Sequence, residues 1–580
     1  IKEKIFAVIG FPFDGEIEEI SFDGVYVRRS GGNAVIGYST KAQKARCYFM
    51  LSMLCKEGKT DCEIKEKPVF DLCGPMLDLS RGSVMRAENV KRYIDRMAAL
   101  GLNMLMLYTE DIYELDGYPM FGYLRGRYSE SELKEIDDYA FEMGVELIPC
   151  IQTLGHLERL LARPEMERWR DDPAGGRVVR IDLPEVRAGM KRYIAEVSEL
   201  FDSEYVHCGG DEASTLGLGL SRNYLSSRGL ENALAEYWND LHHAVRSLNR
   251  KMVLYADELI AYPALRRKLE PEIVIANWGY CAADEVFEAE NHHYSAHCSV
   301  CSGRGNWMTG NAMAEYVFLP LPRLQENLRI LEELGGRSGA DTFVISDWGS
   351  YENINPMLNT ALGSLFILRR LREPAYGMDD FLAEISLLIF GRRHPRFLHA
   401  ARIMLEAQSM KYWPPEICRW GPVFPRFLAG DPDTRSVITL AAVTDPDRLG
   451  VLKRDIAEAC AIVGSLPETG VLRPQWLSDL KGIARRMHMT ALRAELCRRH
   501  AWYAGAVWVT EKERGRLLED YRRYRALAEQ DLQWHKMLWR RDCLPGGLEE
   551  SCEYLNTAVE SAGKALHCPE NTLLYFPSEK

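Results

Sequence analysis

The chain has 580 residues, 47% of them hydrophobic and 27% charged, with a formal net charge of −12. That length exceeds one ordinary core and the composition is that of an ordered globular protein, so two or three domains are expected. The acidic balance argues against a nucleic-acid partner, and no window supplies the roughly 18 uncharged apolar residues of a membrane-crossing helix.

The opening Ile1-Lys2-Glu3-Lys4 lacks the apolar run and small-residue cleavage site of a secretory signal. The 15 cysteines are scattered and odd in number, and Cys298-Ser-Val-Cys301 has no second such pair. They read as buried free thiols in a reducing compartment, so a cytoplasmic location is expected. Residues 1–67 alternate short apolar runs with turns, as in Gly24–Val27 and Ala34–Tyr38, and then show helical spacing from Thr40 to Leu54. This predicts a small N-terminal α+β domain.

From residue 68 to 371 short apolar strands recur, each followed by a polar loop and an amphipathic helix. The expected strands are Met76–Leu79, Asn103–Tyr108, Val145–Cys150, Tyr205–Cys208, Met252–Tyr255, Ile273–Ala276, Tyr294–Val300 and Thr342–Ile345. About eight β/α units in some 300 residues predict an α/β fold, a (β/α)8 TIM barrel. A doubly wound sheet competes, but no Gly-rich phosphate loop follows the first strand. Residues 372–580 show helical periodicity throughout, as in Ile483–His500 and Lys512–Leu532, and predict an α-helical C-terminal domain. That tail is expected to pack on the barrel or on a second subunit, which leaves a homodimer open.

The strand ends carry polar and aromatic residues: Ser80-Arg81-Gly82, Thr109-Glu110-Asp111, Gln152 to His156, Gly209-Gly210-Asp211-Glu212, Asn277-Trp278-Gly279-Tyr280 and Ser346-Asp347-Trp348-Gly349. In a barrel these ends meet on one rim, where active sites are built. Carboxylates, one Arg, one His and several Trp gathered there suit a sugar, whose CH faces stack on indoles and whose hydroxyls pair with charged groups. Two glycines free the backbone before Asp211-Glu212. Neighbours on a strand point to opposite faces, so the two carboxylates do not readily flank one scissile bond as an ordinary glycosidase pair does. A 2-acetamido sugar would bring its own nucleophile, the acetamido oxygen. Asp257-Glu258 and Asp284-Glu285 are the bland counterpart, solvated acidic pairs. Asp257 also closes a strand, and whether it reaches the pocket stays open. A metal site at His207, Cys208 and Asp211 is disfavoured, because residues 207 and 208 face opposite ways and no second cluster adds ligands. No metal and no cofactor are expected.

The His207-Cys-Gly-Gly-Asp-Glu212 segment resembles the signature of glycoside hydrolase family 20. The likeness extends to Asp78-Leu-Ser-Arg81, Ile148 to His156, Leu216-Gly-Leu-Gly219, Cys301 to Trp307, Ser346 to Gly349 and Leu538 to Leu548. Within that family the chain looks most like an intracellular bacterial branch with a helical C-terminal domain. The resemblance implies an exo-β-N-acetylhexosaminidase acting on glycans that end in N-acetylhexosamine, through a substrate-assisted, retaining mechanism. It implies Glu212 as general acid and base, and Asp211 as the residue that orients and stabilises the acetamido group. Arg81 would hold sugar hydroxyls, Glu110 or Asp111 with His156 would surround the acidic pair, and Asp347 would bind a hydroxyl. Trp278, Trp307 and Trp348 would wall the acetamido pocket. The family's acetamido-binding tyrosine is Tyr280 or Tyr294, and Gln152 departs from an often acidic position. Two other readings remain: a non-catalytic sugar-binding barrel, and a barrel glycosidase with its own carboxylate nucleophile.

Overall fold

The structure, a computed structural model, describes residues 1–68, 70–173, 176–278, 307–311, 317–319, 321, 324–325, 328–329, 340–348, 357–407, 446–504 and 510–567. After helix α1 (Lys2–Ile9), strands β1 (Ile17–Ser21), β2 (Val25–Ser30), β3 (Asn33–Tyr38) and β4 (Asp61–Glu66) form a sheet in the order β1-β3-β2-β4. Val25 and Val27 turn inward from β2 while Arg28 faces out, the period-two pattern of a half-buried strand. Helix α2 (Lys41–Lys56) starts with a capping box between Thr40 and Gln43. Its buried Arg46 places Nε 3.0 Å and Nη2 2.9 Å from the two carboxylate oxygens of Glu66, a bidentate tie between helix and sheet.

Eight parallel strands then close into a barrel: β5 (Leu72–Asp78), β6 (Met104–Tyr108), β7 (Glu146–Cys150), β8 (Tyr205–His207), β9 (Lys251–Tyr255), β10 (Val274–Trp278), β11 (Trp307–Asn311) and β12 (Thr342–Asp347). The closing pair sets Thr342 opposite Leu72 and Asp347 opposite Leu77. All five residues of β6 are buried, as expected for a parallel strand covered on both faces. Helices α3 (Ala87–Leu100) and α4 (Glu130–Met143) return the chain to the start of the next strand, each ending in a left-handed glycine, Gly101 or Gly144. At Gly144 a Cβ would lie 2.4 Å from the Ala42 nitrogen, so the N-terminal helix packs where no side chain fits.

The barrel agrees with the sequence expectation, with one correction. The expected strand Tyr294–Val300 lies outside the described residues, and the place between β10 and β12 is taken by β11, Trp307–Asn311. Its Trp-Met-Thr-Gly-Asn composition contains no run of β-branched apolar residues, so no strand was legible there.

The chain divides into two compact units, residues 1–311 with 327–347, and residues 312–326 with 348–580. The N-terminal sheet belongs to the first. Among the described residues the second is helical: α5 (Met357–Arg372), α6 (Met378–Phe390), α7 (Pro395–Ala407), α8 (Pro446–Ser465), α9 (Pro474–Ala504), α10 (Glu511–Asp542) and α11 (Leu548–His567). Leu492, Leu496, Tyr521, Tyr524 and Leu555 form part of a buried cluster shared by α9, α10 and α11. No described helix is long and apolar enough to cross a membrane.

Candidate active site

Strand β8 ends at His207, and the next five residues leave strand geometry. Gly209 and Gly210 have φ of 65° and 94°, and Glu212 itself has φ of 49°, a left-handed conformation that non-glycine residues seldom adopt. A Cβ on Gly209 would lie 2.0 Å from Gln152 Oε1, so glycine is required there by space as well as by φ. The alternation expected for adjacent strand residues therefore lapses before it reaches the acidic pair. The two carboxylates converge instead: His156 Nε2 is 3.3 Å from Asp211 Oδ2 and 3.2 Å from Glu212 Oε2. His156 also has a positive φ, 52°, so both partners are delivered by unusual backbone held in place by its surroundings.

Asp211 is 6% exposed. Gln152, beyond β7, donates Nε2 to Asp211 Oδ1 at 2.8 Å and to the Tyr108 hydroxyl at 2.9 Å, while its Oε1 accepts from Gly210 N at 3.2 Å. Burial works against the Asp211 charge, yet His156 and Gln152 outweigh it and hold the carboxyl below its ordinary range. Burial likewise opposes charge on His156, but Asp211 and Glu212 carry it from 6.5 up to about 10. Glu212 differs in access, with half of its side chain (51%) open to solvent. The hydrogen bond from His156, then the charges of His156 and Arg177, keep it below the usual carboxylate range against partial burial. The pair thus consists of a buried acceptor held toward its charged form and an accessible carboxyl able to exchange a proton with something at the barrel mouth.

The other expected residues fall in several places. Arg81, just past β5, pairs through Nη1 with Asp78, which also accepts from Ser80 N at 3.0 Å. Trp278 ends β10 and turns its indole N–H toward Asp257 Oδ1 at 3.4 Å. Asp347 ends β12, buried, and Trp348 follows it, half-buried. These sit at strand ends on the rim. Glu110 and Asp111 are engaged in the scaffold. Glu110 Oε1 accepts from Leu160 N at 2.7 Å, and burial with neighbouring Asp111 pushes it up to about 8. Asp111 pairs with Arg125 and with Arg163, the latter at 3.0 Å. Among the described residues neither is hydrogen-bonded to Asp211 or Glu212. Trp307 opens β11 opposite Thr342. Tyr280 and Tyr294 lie outside the described residues.

Asp257, left open by the sequence, reaches the pair, and Arg177 and Asp171 have no counterpart among the expected sites. Asp257 accepts the Glu212 amide at 2.6 Å and so fixes its left-handed turn; burial and the nearby Asp211 raise its carboxyl well above the usual range. Arg177 reaches Glu212 Oε2 at 3.0 Å. Asp171, fully buried, accepts from Gly217 N at 3.1 Å and Ser221 N at 2.7 Å, anchoring the segment that leaves Glu212. The strand-end position of Asp257 was a visible signal, whereas Arg177 and Asp171 lie in a long connection that carries no motif. Among the described residues no three His, Cys, Asp or Glu side chains are grouped to hold a metal ion.

Residues 70–302 match the family model described as glycosyl hydrolase family 20, catalytic domain. A β-hexosaminidase of Akkermansia muciniphila is 28% identical over 179 residues, covering 26% of this chain and 36% of that protein. A probable β-hexosaminidase of Arthroderma benhamiae is 23% identical over 296 residues, 45% of this chain and 48% of that one. The matches thus span between a third and a half of the length of these curated relatives. Among solved structures, a family 20 exo-β-N-acetylglucosaminidase from Vibrio harveyi in complex with N-acetylglucosamine is similar in fold. Its TM-score is 0.52 at 16% identity, over 66% of this chain and 70% of that one.

Proposed function

We propose, because residues 70–302 match the family model of the glycosyl hydrolase family 20 catalytic domain, that this chain is an exo-β-N-acetylhexosaminidase of that family, releasing terminal β-linked N-acetylglucosamine or N-acetylgalactosamine with retention. The observation that carries this reading is the convergence of Asp211 and Glu212 on one His156 nitrogen, at 3.3 and 3.2 Å. Carboxylates that meet on one histidine nitrogen fit an acid and an acetamido-orienting group on one side of a bound sugar better than an acid and nucleophile opposed across the bond. The nucleophile is then the acetamido oxygen of the substrate. Glu212, accessible to solvent, protonates the leaving oxygen and afterwards takes a proton from water. Asp211, buried and charged, accepts the acetamido N–H and stabilises the positive charge that spreads to this nitrogen as the oxygen attacks C1. Arg81 and Asp347 are assigned to sugar hydroxyls, and Trp278 and Trp348 to the pocket wall.

A chromogenic N-acetyl-β-glucosaminide tested beside the plain glucoside checks the activity, with cleavage of the former alone expected. The mechanism is decided by a cyclised thiazoline mimic of the intermediate on wild type and Asp211→Asn. Interactions that strengthen toward the transition state are lost with the charge, so inhibition should weaken by roughly 10²-fold in the variant. Equal inhibition of the two proteins would remove substrate assistance even with hexosaminidase activity confirmed.

A further inference from the structure

Arg177 belongs to the connection after β7 and lies outside every motif of the sequence. Its Nη2 is 3.0 Å from Glu212 Oε2 and 3.1 Å from His156 Nδ1, and its Nε is 3.3 Å from Glu158 Oε1. His156 Nε2 approaches the same Glu212 oxygen at 3.2 Å. Two donors therefore converge on Oε2. A proton on that oxygen would point into N–H groups that cannot accept it. The proton Glu212 exchanges must reside on Oε1.

Resting on the assignment of Glu212 as the acid, we propose that Arg177 is a positioning residue that fixes Oε1 as the proton-carrying oxygen and sets the pH at which it discharges. Glu158 acts as the counterweight, competing for the same guanidinium. The groups facing Glu212 are His156 and Arg177 from the connection after β7, with Glu158 behind them, Asp211 from its own segment, and Asp257 at its amide from the end of β9. The guanidinium favours the carboxylate by simple charge proximity, in line with the lowered range of Glu212. Because the pair is half-exposed, its influence is modest.

The test is the pH dependence of kcat on an N-acetylhexosaminide with a poor leaving group, for wild type, Arg177→Gln, Arg177→Lys and Glu158→Gln. A general acid loses activity as pH rises through its own pKa. Removing the positive charge in Arg177→Gln lets Glu212 keep its proton longer, so the alkaline limb should move up by about half a pH unit, a roughly threefold change in rate on that limb. Glu158→Gln removes a negative charge behind the guanidinium and should move the limb the other way. Arg177→Lys should restore most of the wild-type position. A purely structural role moves neither limb. Superimposed profiles, or shifts of Arg177→Gln and Glu158→Gln in the same direction, overturn the proposal. If Arg177→Gln does not fold, the downward shift in Glu158→Gln carries the test alone, and its absence overturns the proposal. Wild type that cleaves no N-acetylhexosaminide at all would instead overturn the assignment on which it rests.

Discussion

Glu212 owes its reach to a left-handed turn, φ 49°, whose amide is held by Asp257 at 2.6 Å. That arrangement lifts one carboxyl out of the buried floor where Asp211 stays. Glu212→Gln keeps the shape and loses the transferable proton, so cleavage of substrates with basic leaving oxygens should fall by about 10²–10⁴-fold. Activated aryl glycosides, which need little protonation, should suffer far less. Steady-state rates on both substrate types check this, and equal losses would mean Glu212 is not the acid. Asp211 and Glu212 were legible as a pair because they follow an apolar strand and two glycines. The convergence on His156 was not, because it depends on where β8 stops and on the φ of three residues, quantities no local pattern encodes. Arg177 was illegible for a related reason: an arginine in a long connection is ordinarily solvated, and only the folded path of residues 157–181 brings it to the acid.

Segments, more than single residues, hold the pair in place. Asp171 takes hydrogen bonds from Gly217 and Ser221 with its side chain, and its own carbonyl accepts from Leu220 N at 2.8 Å. Gly219 lies against it so closely that a Cβ would meet the Asp171 carbonyl oxygen at 1.9 Å. The connection after β7 and the one after β8 are thus tied together, with His156 and Arg177 on the first and Glu212 on the second. Asp171→Ala leaves the buried Ser221 amide and the half-buried Gly217 amide without their acceptor, which costs about 1–3 kcal/mol for the buried group and less for the other. The variant should unfold at lower temperature and show reduced kcat with the barrel still formed, as judged by melting, circular dichroism and turnover. Unchanged kcat in a destabilised protein would show the two connections to be independent of the chemistry. Most strands were legible from their apolar runs; β11 escaped because Trp307–Asn311 is neither apolar throughout nor alternating.

At the scale of the whole chain, the helical unit holds a buried ion pair whose contribution can be measured. In the helical unit Arg486 Nε lies 3.1 and 3.0 Å from the two oxygens of Asp531, with side chains 2% and 0% exposed. Removing one member of a buried pair strands the other charge, so Asp531→Ala should lower stability by about 3–5 kcal/mol. Replacing both, Arg486→Met with Asp531→Leu, should be neutral or stabilising by comparison. Urea unfolding of the three proteins checks the order, and a double variant as weak as the single would show that the pair itself carries the stability.

The barrel is closed by pairing of its first and last strands, and closure has a timetable. Strand β5 cannot meet its second neighbour, β12, until the chain between them has been made, since Leu72 pairs with Thr342. At about 5–20 residues per second of synthesis, the roughly 270 intervening residues take on the order of ten to fifty seconds. Throughout that interval β5, buried in the finished protein from Cys73 to Asp78, offers one edge of unpaired amides and carbonyls to any extended segment nearby. The nascent chain is therefore most exposed to mispairing before its seventh and eighth barrel strands emerge, and a pause in translation downstream of β10 would lengthen the period in which β5 needs protection.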